Sequence, residues 1–107
     1  MMISPALVFA LLVTAQIPAA AQRQAFSSCL RTFTNEKIQA GTEAAEFTTQ
    51  LAAACSAQES AYKTAYVAAA MRQGDSRSMA ERDANTEVED LRTNSRELFE
   101  AAAQSDE

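Results

Sequence analysis

The sequence contains no histidine and no tryptophan, and it has only two glycines, two prolines and two cysteines in 107 residues. Without histidine, a Ser-His-Asp triad, a Cys-His pair and the usual ligand sets of zinc enzymes are excluded. Gly41 and Gly74 are too few for a glycine-rich phosphate loop. The scarcity of turn-forming residues also argues against an all-β fold. At this length we expect one small domain.

Positive charge is also scarce. Lys and Arg total 9 against 14 for Asp and Glu, which gives a net charge of −5. Nucleic-acid-binding proteins normally carry a basic patch, and the sequence shows none. We therefore expect no nucleic-acid partner.

No charged side chain occurs before Arg23. Residues 5–13, PALVFALLV, form an apolar core of the length found in signal peptides, and Pro18 then precedes a run of small residues. Ala19 and Ala21 occupy the two positions at which signal peptidase requires small side chains, which predicts cleavage between Ala21 and Gln22. The predicted mature chain, residues 22–107, is exported to the periplasm or secreted.

Two other interpretations of this segment stay open. It could be retained as a membrane anchor, although polar residues and a proline leave it well short of the roughly 20 apolar residues that a span needs. It could also be a lipoprotein signal that ends at Cys29. Arg23 would then separate the apolar core from the cleavage site, and Cys55 would have no partner.

Cys29 and Cys55 are predicted to form a structural disulfide, because an even number of cysteines in an exported chain indicates pairing. Their spacing of 26 differs from that of a CxxC redox pair. A zinc site would need two more ligands, which without histidine would have to be carboxylates, so we expect neither a metal nor a cofactor. If Gly41 ends one helix and Thr42 caps the next, the cysteines lie within about 3 Å of the same level.

The composition of the predicted mature chain favours an all-α fold, because 18 of its 86 residues are alanine. Apolar periodicity predicts helices over residues 24–40, 42–72 and 78–103. These would form an antiparallel three-helix bundle in which the disulfide joins the short first helix to the long second one. In the alternative, one uninterrupted helix spans residues 24–72, and the cysteines, about 39 Å apart, pair only between chains.

The third predicted helix begins with a capping-box pattern from Ser78 to Glu81. It continues with a heptad-like apolar seam made of Ala84, Val88, Leu91, Ser95, Leu98 and Ala102, with Phe99 beside it. The charged residues between these positions, including Arg92, are expected on a solvated face.

The second half of the long helix extends beyond the reach of the first helix. We expect it to be only partly covered and to offer a surface for self-association or a partner protein, consisting of Tyr62, Tyr66, Val67 and Met71. The structural alternative places the two tyrosines at the edge of the core with their hydroxyls in water.

These features favour a small exported protein that is not an enzyme and works by contact with a partner protein, with itself or with the envelope. A second possibility is an amphipathic protein that binds a membrane or an envelope polymer, with Arg23, Arg31 and Lys37 as its cations. An enzyme is not expected, because three alanine-rich helices leave little room for a pocket that holds two catalytic carboxylates, and no small-molecule substrate is evident.

Overall fold

The computed structural model of the chain describes residues 19–105, and these residues form four α-helices without strands. The helices are α1 (Ala19–Gln39), α2 (Ala44–Leu51), α3 (Ser56–Arg72) and α4 (Arg77–Ser105). The all-α prediction is confirmed, although the number of helices differs from the predicted three. The apolar core of the predicted signal peptide lies outside the described residues, whereas the predicted cleavage site between Ala21 and Gln22 lies in the first turn of α1. Cleavage at this site stays a prediction.

The corner between α1 and α2 forms where the sequence predicts a helix end. Gly41 has a φ of 67°, in the left-handed region that glycine adopts without steric cost. Its N–H donates to the Ile38 carbonyl, and the Thr42 N–H donates to the Lys37 carbonyl, both at 3.1 Å. These two bonds are the Schellman pattern that ends many helices. Thr42 does not cap α2, because Glu43 occupies the N-cap position.

The predicted long helix over residues 42–72 is interrupted, and this part of the prediction is wrong. α2 ends at Leu51 and α3 begins at Ser56. The intervening residues read Ala-Ala-Ala-Cys, a run with high intrinsic helix propensity, so the cause of the break is tertiary. Cys55 has a φ of 61°, a left-handed conformation that costs a non-glycine residue roughly 1–2 kcal/mol.

The disulfide between Cys29 and Cys55 joins α1 to this turn, with the two Cα atoms 6.0 Å apart. The predicted pairing is therefore present within one chain, and the alternative of a continuous 24–72 helix that pairs between chains is wrong. A disulfide is typical of an oxidising environment outside the cytoplasm.

The start of α4 differs from the predicted capping box by two residues. The Ser76 hydroxyl accepts a hydrogen bond from the Met79 N–H at 3.2 Å, so Ser76, and not Ser78, caps this helix. Further along α4, the predicted seam is buried from Ala84 to Ser95. It then shifts, because Leu98 is 47% exposed while Phe99 is buried.

The core lies where α1, α3 and α4 each pack against the other two, and α2 packs against α4. In α1, Phe26 precedes Cys29. Their partners come in the reverse order, because Cys55 lies just before α3 and Tyr62 lies within α3. At the α2 end, the Phe47 ring stacks on the rings of both Phe33 and Phe99, at centroid distances of 5.8 Å and 4.1 Å respectively. Aromatic side chains therefore supply much of the bulk that the alanine-rich helices lack.

Candidate functional site

The predicted partner surface divides into one buried residue and three residues that are at least partly exposed. Tyr62 is only 2% exposed, and its ring packs 6.4 Å from that of Phe26 and 6.1 Å from that of Tyr66. Tyr62 therefore belongs to the core and is not available to a partner. Tyr66 and Val67 are partly buried, and Met71 is 38% exposed.

A groove of about 450 Å³ runs between α3 and the first part of α4. Val67 and Met71, two members of the predicted surface, lie along its α3 side. Ala68 of α3 and Ala84 of α4 also line it, and these short side chains leave the space between the helices open. Two of the four residues of the predicted surface therefore line the groove, and its α4 side, which depends on how the two helices pack, was not predicted.

Charged residues of both signs line the same groove. Lys63 lies 3.5 Å from Glu59 on α3, and Arg77 lies 3.8 Å from Glu81 on α4. Each cation is thus matched by a carboxylate one helical turn away. Glu59 lies outside the groove lining and also pairs with Arg92, so the lining itself carries two cations and one carboxylate. The apolar surface of the groove is its more distinctive feature.

Three residues outside the groove lining, Tyr62, Glu87 and Arg23, form a polar link between three helices. The Tyr62 hydroxyl donates to the Glu87 carboxylate at 3.4 Å, and Arg23 Nε lies 3.8 Å from the same carboxylate oxygen. Burial raises the pKa of Tyr62 above its ordinary value of 10.0; the negative charge of Glu87 adds to this, and Arg23 opposes it. The hydroxyl is therefore protonated at neutral pH and acts as a hydrogen-bond donor.

Tyr66 is affected in the same direction. Partial burial raises its pKa, and the nearby carboxylates Asp83, Glu87 and Asp75 raise it further because they disfavour a second negative charge. Neither tyrosine is therefore activated as a nucleophile or as a base, either of which would need a lowered pKa.

Arg92 does not lie on the solvated face where the sequence predicts it. It is only 6% exposed instead of solvated, and its guanidinium donates to the carbonyls of Leu51 and Ala54 and pairs with the Glu59 carboxylate. It also lies 5.4 Å from the centre of the Phe26 ring. One side chain thus satisfies backbone carbonyls at the end of α2 and in the following turn. The signal was its spacing: Arg92 follows Val88 by four residues and continues the buried stripe.

The carboxylates of the described residues do not assemble into a metal site. Within residues 19–105, no group of three or more Asp, Glu or Cys side chains is placed to hold a metal ion. Four carboxylates that stand close together in the sequence, Glu43 with Glu46 and Glu89 with Asp90, are exposed on helix surfaces, whereas their neighbour Glu87 is partly buried. Exposed carboxylates lack the apolar surroundings that tune a catalytic acid.

The three cations of the first helix are dispersed. Arg23 lies beside Glu87, Lys37 lies 5.5 Å from the centre of the Phe33 ring, and Arg31 is exposed beside a smaller groove between α1 and α4. None of the helices described here has both the length and the apolarity that crossing a bilayer requires.

Comparison with known proteins identifies no relative: no family model matches the chain, and no curated protein or solved structure is significantly similar to it.

Proposed function

We propose that this chain is a small exported protein that acts by binding an apolar segment of a partner protein in the groove between α3 and α4. Residues 1–21 act as the signal peptide, and cleavage between Ala21 and Gln22 releases the mature domain. In that domain α1, α3 and α4 form an antiparallel bundle, and α2 is a short added helix. The disulfide is consistent with export, since such bonds persist in oxidising compartments.

The observation that carries the binding role is the apolar lining of the groove. Val67 and Met71 face space that no described residue fills, whereas Tyr62 and Phe26 are almost completely covered. An apolar side chain of a partner that entered the groove would remove this surface from water, which contributes about 25 cal/mol per Å² buried. The matched charges at the edge would add orientation and little affinity.

The test uses a photo-crosslinking amino acid introduced into the full chain at position 71, inside the groove. The matched control carries it at position 79, where the native methionine is 47% exposed but does not line the groove. Both variants are expressed in cells that export the protein, and adducts are collected from the periplasmic or secreted fraction and identified by mass.

A specific adduct at position 71 that is absent at position 79 supports the proposal, and the partner is then read from the adduct mass. An adduct with a second copy of this chain would show that the groove mediates self-association, and it would contradict binding of a different protein. Equal labelling at both positions, or adducts with lipid alone, would contradict a protein-binding groove. Recovery of the chain only from the cytoplasm would contradict export.

A further inference from the structure

Cleavage after Ala21 would leave Gln22 as the first residue of the mature chain. An N-terminal glutamine can cyclise through its free α-amine, whereas an internal glutamine cannot. We infer that Gln22 is converted to pyroglutamate, and this inference rests on the cleavage included in the proposed function. The α-amine of Gln22 attacks its own side-chain amide carbon. A new C–N bond closes a five-membered lactam, the bond to the amide nitrogen breaks, and ammonia leaves with the proton that the attacking amine gives up. No oxidant, reductant or co-substrate is consumed.

The position of Gln22 in α1 leaves its terminus accessible for this reaction. The first buried residue of α1 is Phe26, one helical turn beyond Gln22, so cleavage removes no member of the core. Ala21 and Arg23 are exposed, and Gln22 is partly exposed. The new terminus therefore projects ahead of the packed part of α1, where its amine and its side-chain amide are free to meet without displacing a core side chain.

The charges at this end of α1 favour the cyclised product over the free amine. The mature helix would start with a protonated amine at Gln22 and the guanidinium of Arg23. The N-terminus of a helix carries a partial positive charge, which is stabilised by anions and destabilised by cations. No acidic residue lies in the first turn of α1, and its first carboxylate is Glu36.

Cyclisation removes one of these two cations, because the lactam nitrogen is an uncharged amide N–H at neutral pH. Arg23 is then the remaining cation of the first turn, and Glu87 lies 3.8 Å from its Nε. The modification also removes the free amine on which aminopeptidases act, so the exported chain would be protected from trimming towards Phe26.

The test is the intact mass of the full chain after export, measured before and after incubation at neutral pH, with Gln22→Ser as the matched control. The expected species starts at Gln22 and is about 17 Da lighter than the uncyclised chain, because ammonia is lost. It should resist N-terminal labelling, and treatment with pyroglutamyl aminopeptidase should expose Arg23. The Gln22→Ser chain should start at position 22 with no loss of mass.

The outcomes separate the two proposals. A chain that starts at Gln22 and keeps its full mass and a free amine after incubation would overturn the cyclisation and leave the cleavage intact. A chain that retains residues 1–21, or starts at another residue such as Cys29, would overturn the cleavage and with it this modification. The same mass loss in the Gln22→Ser chain would assign it to another residue and overturn the inference.

Discussion

Replacing Arg92 with methionine should destabilise the protein far more than its place among the charged residues of α4 suggests. Methionine keeps most of the length and the apolar stem of the side chain but removes its charge and its donors. The carbonyls of Leu51 and Ala54 would each lose a donor, and the carboxylate of Glu59 would lose its buried partner.

The expected loss of unfolding free energy follows from the burial of the ion pair between Arg92 and Glu59. Removing one partner of a buried ion pair costs about 3–5 kcal/mol, since the remaining charge stays without compensation. The side chain of Glu59 is 24% exposed and also lies 3.5 Å from Lys63, so part of its charge is still screened. We therefore expect a loss of about 3 kcal/mol, which is a large part of the roughly 4–13 kcal/mol typical of a domain of this size.

Urea unfolding of the oxidised protein, followed by circular dichroism at 222 nm, measures this loss. The matched control is Arg96→Met, also on α4, whose guanidinium donates only to the Thr93 hydroxyl among the described residues, at 3.0 Å. Its expected cost is within about 0.5 kcal/mol. Combining Arg92→Met with Glu59→Gln should cost less than the sum of the two single changes, by about 1–2 kcal/mol. Equal midpoints for Arg92→Met and Arg96→Met would refute the role assigned to Arg92.

Three further changes test other parts of the fold by the same unfolding assay. Replacing both Cys29 and Cys55 with alanine should lower the free energy of unfolding by about 3.5 kcal/mol, by the chain-entropy argument for a loop of this length. Glycine instead of alanine at position 55 should recover about 1 kcal/mol, because this position has a positive φ. No difference between glycine and alanine would mean that the turn becomes helical once the disulfide is removed. Ser76→Ala should lower the free energy of unfolding by about 1 kcal/mol, while Ser78→Ala should change it little. A larger loss for Ser78→Ala would mean that Ser78, and not Ser76, caps α4. The pKa of Tyr62 is raised in the folded state, so its contribution to stability is complete below a pH of about 10 and is lost as the pH rises through the folded pKa. Tyr62→Phe should reduce the fall in unfolding free energy at alkaline pH. An unchanged dependence of that free energy on pH would contradict the raised pKa.

Local features of the sequence were enough to predict the all-α class, the glycine corner at residue 41 and the pairing of the two cysteines. Each of these depends on neighbouring residues or on the number of cysteines. Glycine is the residue that reaches positive φ without steric cost, and an even number of cysteines in an exported chain indicates pairing. The buried residues Phe26, Leu30, Phe47 and Leu51 also follow from helical spacing.

The break in the long helix was outside the reach of sequence reasoning. Residues 52–54 are alanines, which favour continuing a helix. In the folded chain, the disulfide holds Cys55 against α1, and Arg92 reaches the same turn from α4 to satisfy its carbonyls. Both contacts join segments that are 26 to 41 residues apart in sequence.

The candidate site shows the same division. The sequence identifies Val67 and Met71 as apolar residues on a helix face that is expected to be partly covered, but the groove they line depends on how α4 packs beside α3. Sequence by itself determined which segments form helices and which faces are apolar, because those properties arise from each residue and its near neighbours. Tertiary structure decided that Arg92 and Tyr62 are buried and that the helix breaks after Leu51, because these features depend on contacts between segments that are distant in the chain.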